Sequence, residues 1–140
     1  MANMTNVFEQ SNPQGVALFR ATQAGNLSSG ITQQTIDVNA SFTDELASGT
    51  QQISITAITW NIQGGGYLIV KDGSTAILNL GASGSWNRNN RGLIAPLIIT
   101  GDADINVDSS GMSTTASYSL LIEVKKVTGY TARTDYKQSA

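Results

Sequence analysis

Side chains in this sequence change character every second residue, in short runs broken by glycine, and no stretch carries the apolar spacing of a helix three turns long. A period of two marks a strand with one buried face, because successive side chains of an extended backbone point to opposite sides. Ile36, Val38, Ala40 and Phe42 alternate with Asp37, Asn39 and Ser41. Ala103, Ile105 and Val107 alternate with Asp102, Asp104, Asn106 and Asp108. Between Gln51 and Gln63, Ile53, Ile55 and Ala57 share one face, whereas Ile58, Trp60 and Ile62 fall on the other. That one-residue phase change predicts a β-bulge or bend near Ala57-Ile58, which keeps the apolar set facing the core as the strand twists.

The breaks between runs have turn chemistry. Lys71-Asp72-Gly73-Ser74 separates Tyr67–Val70 from Thr75–Leu80 and predicts a hairpin, since glycine reaches positive φ without steric cost. Gly64-Gly65-Gly66 ends the preceding run, Thr43–Gly49 reads as one helical turn or a polar loop, and Pro96 predicts an edge strand or a break within Leu93–Ile99. Ser117–Val127 is the longest strand candidate. Seven or eight short strands of this kind predict an all-β fold, a single β-sandwich of jelly-roll type with an extended N-terminal arm. The expected division is an arm over residues 1–30, the sandwich over 31–128 and a polar, loosely held C-terminal tail over 129–140.

A chain of 140 residues is long enough to bury one core without disulfides or metals. It contains neither cysteine nor histidine, which removes disulfides, thiolate zinc sites, the commonest general base and the commonest metal ligand. Eight basic and ten acidic residues leave a net charge of −2, with the basic residues scattered, so no nucleic-acid stripe is expected. Charged residues make up only 13% of the chain, and Ser, Thr, Asn, Gln and Gly take the polar positions, giving a surface that works through hydrogen bonds more than charge. No run is long and apolar enough to span a bilayer as a helix, and no membrane association is expected; the start has no basic region leading into an apolar core, so no secretory signal is expected. The sequons at Asn3, Asn26 and Asn39 are near what chance gives in so polar a chain.

Each candidate for chemistry has a plainer reading. Asp102-x-Asp104-x-Asn106-x-Asp108 echoes the opening of a calcium loop, but the sixth and twelfth positions hold Val107 and Ser113 where glycine and a bidentate glutamate are required. A solvated strand face is the expectation. Gly64-Gly65-Gly66 lacks the sequel of a phosphate-binding loop and reads as a turn. Serines abound without a histidine to activate them, Gly81-Ala82-Ser83-Gly84 falls one residue short of a nucleophile elbow, and no two carboxylates stand out as a dyad. The expectation is therefore no enzyme, no cofactor and no metal. For contact with a partner, the candidates are Phe8, Val16, Leu18 and Phe19 in the arm, ordering when bound, and Trp86, Arg88 and Arg91 in a polar loop. Trp60, between Ile58 and Ile62, is expected in the core.

The start Met1-Ala2-Asn3-Met4-Thr5-Asn6-Val7-Phe8, the lack of Cys and His, the hydroxyl- and amide-rich strands and the closing Tyr118–Val124 strand together resemble the small structural proteins of tailed-bacteriophage virions, above all head decoration or cement proteins. The resemblance spans the chain and rests on no single motif. It implies a virion location on the capsid surface, binding to the major capsid protein lattice, and a homo-oligomer, with a trimer favoured. A head-fibre base, a tail component or a receptor-binding knob fits the same features. A carbohydrate-binding, lectin-like module using Trp86 and nearby Asn and Asp side chains is the alternative outside that class.

Overall fold

A computed structural model describes residues 5–11, 15–24, 34–42, 45–87, 97–100, 103–112, 116–131 and 137–138. Among them the strands are β1 (Thr5–Ser11), β2 (Val16–Ala24), β3 (Gln34–Asp37), β4 (Gln52–Gln63), β5 (Tyr67–Asp72), β6 (Thr75–Gly81), β7 (Ser83–Asn87), β8 (Leu97–Ile99), β9 (Asp104–Ser110), β10 (Ser117–Thr128) and β11 (Lys137–Gln138). They form two antiparallel sheets packed as a β-sandwich. The larger has the order β11-β1-β2-β10-β4-β7, with β8 also on β4, and the smaller the order β3-β9-β5-β6. β7 pairs with Ala57–Asn61 and β8 with Ile53–Ile55, so the two lie end to end along one edge of β4.

Period-two alternation places the core. Ala17, Phe19 and Ala21 of β2, Ile53, Ile55, Ile58 and Ile62 of β4, and Tyr118, Leu120, Ile122 and Val124 of β10 are buried from one sheet. Ile36, Leu68, Val70, Leu80, Ile105 and Val107 meet them from the other. The phase change in β4 is a bulge: Glu123 pairs with Ala57 and Val124 with Ile55, leaving Thr56 as the extra residue. The Thr56 hydroxyl lies 2.7 Å from Glu123 Oε1 and 3.2 Å from the Glu123 carbonyl oxygen, so the interrupted ladder is repaired by a side chain.

The turns follow the sequence. Gly73, at φ +61°, closes the β5–β6 hairpin. Gly64, Gly65 and Gly66, at φ +93°, +85° and +80°, carry the chain from one sheet to the other. A Cβ on Gly66 would sit 2.7 Å from Met112 N and Ser110 O, so the third glycine is also required by the close approach of the β9–β10 connection. β8 is a three-residue edge strand starting just after Pro96; residues 93–96 themselves lie outside the described residues.

Three expectations are corrected. Thr5–Ser11 and Val16–Ala24 are not an arm leading into the domain: they are strands β1 and β2 of the larger sheet, β2 pairing with β10 from Ala24↔Ser117 to Val16↔Lys125. The alternation of Ile36–Phe42 is not all strand. β3 stops at Asp37, whose carboxylate accepts a hydrogen bond from Ala40 N at 3.2 Å and caps a single 3₁₀ turn, Val38–Ser41, that still buries Val38 and delivers Phe42 to the core. The chain end is also held where described: Tyr130 bridges to Leu46, Thr131 N donates to Glu45 O at 2.7 Å, and β11 pairs with β1.

Candidate contact surface

The outer face of the larger sheet is built by the residues that alternate with the core. β10 is its centre line. Leu121 stands between Arg20 of β2 and Thr59 of β4, Ser119 between Thr22 and Asn61, and Glu123 between Leu18 and Ala57. Leu121 is 40% exposed, and Val16 and Leu18 are half-buried on the same face. Arg20, Thr59, Asn61, Ser119 and Leu121 line an open groove of about 240 Å³. Arg20 Nε is 2.8 Å from Glu9 Oε1, and with both groups partly exposed this pair contributes little stability. The arrangement suits contact with another surface: an apolar side chain on a central, doubly paired strand, ringed by hydroxyls, an amide and one guanidinium.

The residues expected to make contacts divide. Val16 and Leu18 belong to this outer face. Phe19, 2% exposed, and Phe8 point the other way and pack with Phe42, at ring-centroid separations of 5.6 Å (Phe8–Phe19), 5.4 Å (Phe8–Phe42) and 6.4 Å (Phe19–Phe42). These rings anchor β1 and β2 to the sandwich and are not displayed to a partner. Trp86, expected at the surface, is half-buried against the core because it pairs with Ile58 and so shares its inward side. Arg88 and Arg91 lie outside the described residues. Trp60 is half-buried beside the core as expected; its Nε1 donates to Gly81 O at 2.9 Å and its ring covers Gly84.

The acidic run of β9 alternates as expected but is not simply solvated. Asn106 is 6% exposed: its Oδ1 accepts from the Thr35 hydroxyl at 2.8 Å and its Nδ2 donates to Gly73 O at 3.0 Å. Asp104 pairs across the ladder with Asp37, and Asp108 forms an ion pair with Lys71. Asp102 lies outside the described residues, among which no group of three or more metal-ligating side chains occurs.

Sequence reasoning missed a polar cluster at one end of the core. Lys126 follows Val124 in the inward phase of β10, and its Nζ is 2.6 Å from Glu45 Oε1, with side chains only 7% and 5% exposed. The ammonium lies 3.9 Å from the Phe42 ring centroid and 5.2 Å from that of Tyr130, within cation–π range of both. The Tyr130 hydroxyl donates to Asn39 Oδ1 at 2.6 Å, and Asn39 Nδ2 donates to Gln51 Oε1 at 3.1 Å. Gln51 Nε2 in turn lies 3.0 to 3.2 Å from the carbonyls of Ala47, Gly49 and Gly129. Burial first, and the negative charge of Asp37 second, push the Tyr130 phenol above its ordinary value. The signal was present as position: Lys126 is two residues beyond the last of four inward side chains. The cluster fastens the β3–β4 connection and the segment after β10 to the β10 strand and serves the fold. Comparison with protein-family models finds none that matches the chain, and comparison with curated proteins finds no similar sequence.

Proposed function

We propose that the chain is a non-enzymatic virion structural protein that binds the capsid lattice of a tailed bacteriophage as a decoration protein and stabilises the head. The observation that carries this reading is the outer face of β2, β10 and β4, where Leu121 is 40% exposed at the centre of a rigid three-strand surface beside the groove. Copies arrayed on a lattice need only modest affinity each, because repeated attachment multiplies weak contacts. That β1 and β2 are strands of the larger sheet favours this sheet face over an N-terminal arm as the contact. The carbohydrate-binding alternative drew on Trp86, which faces the core.

Cosedimentation of the purified chain with expanded capsids tests the proposal. Leu121→Asp is expected to remove most bound copies while leaving the melting temperature within a few degrees, because the side chain is on the outer face. Undiminished binding by Leu121→Asp, or binding to glycans with none to capsids, would overturn it.

A further inference from the structure

The smaller sheet ends on β6, whose far edge pairs with no strand among the described residues. A terminal strand offers a row of unsatisfied backbone donors and acceptors, and monomeric proteins blunt such edges with lysine, proline, inward charges, bulges or short length. The two ends of this sheet differ in these respects. β3 is four residues long and carries Asp37, whereas β6 runs for seven residues with neither charge nor proline. Its one irregularity is a register shift that leaves Ile77 unopposed, after which Leu78–Gly81 pair regularly with β5. The adjoining edge strand of the larger sheet, β7, is uncharged too, and the Trp60 bond to Gly81 O holds the two edges on one flank. Across residues 46–87 the only charges are Lys71 and Asp72. Lys71 is paired with Asp108, and Asp72 accepts from Thr100 N and Oγ1.

A strand that pairs with its own copy across a two-fold axis sets its central side chain against the identical one, so a charge there would meet a like charge. An uncharged edge is open to the one partner that a charged edge repels. We propose that β6 pairs antiparallel with β6 of a second copy of this chain, joining the two smaller sheets edge to edge. With Asn79 on the axis, the half-buried Leu78 lies opposite Leu80 of the second copy, and the inward faces of both sheets stay on one side. Two-fold pairing closes at two copies, which separates it from the trimer implied by the virion resemblance.

Sedimentation equilibrium of the full chain across the micromolar range is the test, independent of whether capsids are bound. The expected result is a reversible dimer whose dissociation constant rises by roughly tenfold in Asn79→Lys, an exposed outer position. Asn79→Asp alone should weaken the dimer likewise, and mixing the two variants should restore a mixed dimer, which neither could do if it had failed to fold. A monomer throughout that range, a trimer, a dimer indifferent to both variants, or a mixture that stays monomeric would overturn the proposal.

Discussion

Replacing Lys126 with methionine removes an ammonium and keeps most of the side-chain volume. Glu45, its carboxylate only 5% exposed, is then left buried without its counter-charge, and the Phe42 ring loses the cation 3.9 Å from its centre. Breaking a buried pair from one side costs about 3 to 5 kcal/mol, because the remaining charge keeps its desolvation cost and loses the attraction of this ion pair that offset it. Against a total stability of about 5 to 15 kcal/mol this is a large fraction. For a domain of this size it corresponds to a fall in melting temperature of roughly 10 to 17 °C. Removing both charges, as Lys126→Met with Glu45→Leu, should return stability to within about 1 kcal/mol of the starting chain, since an apolar pair of similar volume avoids the desolvation cost. Urea unfolding at constant m-value measures all three variants and closes a double-mutant cycle. If Lys126→Met costs under about 1 kcal/mol, or if the double variant is as unstable as the single, packing and not the ion pair holds this end of the core.

Other outcomes follow from named contacts. Burial pushes the Tyr118 and Tyr130 phenols above the ordinary value of about 10, so the folded state keeps protons that the unfolded chain gives up; stability is full below that pH and falls as pH rises above it. Phenolate absorbance should show these two ionising only as the chain unfolds, and ionisation at the ordinary value with the fold intact would contradict this. Tyr118 also leaves its hydroxyl without a partner among the described residues, so Tyr118→Phe should raise stability by about 1 kcal/mol in thermal melts. Gly84→Ala would put a methyl group 2.7 Å from Trp60 Cζ2, displacing the indole from Gly81 O; a cost of about 1 to 3 kcal/mol and a red shift in tryptophan emission are expected.

What was legible in the sequence was whatever depends on one strand and its own turns. The bulge at Thr56 was visible because four isoleucines and a tryptophan fix two phases a residue apart, and the β5–β6 hairpin because glycine supplies its backbone angle. β2 was hidden because two of its three buried side chains are Ala17 and Ala21, too small to announce a buried face between Leu18 and Arg20. The side on which Trp86 lies was hidden for another reason: its neighbours Ser85 and Asn87 give no period, and only pairing with Ile58 decides the face. On the outer sheet face, Val16 and Leu18 stand out in the sequence as apolar residues, but Arg20, Thr59, Ser119 and Leu121 come from three strands and converge only through register. Lys126 was passed over because an inward charge interrupts the hydrophobic pattern that identifies inward positions.

Among the described residues the middle of the larger sheet joins β2 to β4 only through β10, a strand that follows both in the chain. During synthesis, β2 and β4 are therefore finished while the segment that zips between them is still unmade, and each keeps an unfilled edge on the side that β10 will take. Early fragments cannot close the interior, so the nascent polypeptide is exposed to sticky mispairing until Thr128 is made, and its folding rate is governed by contacts roughly fifty to a hundred residues apart, a slow class of closure. A chain cut short before Ser117 should accumulate as aggregate, however complete the strands that precede it.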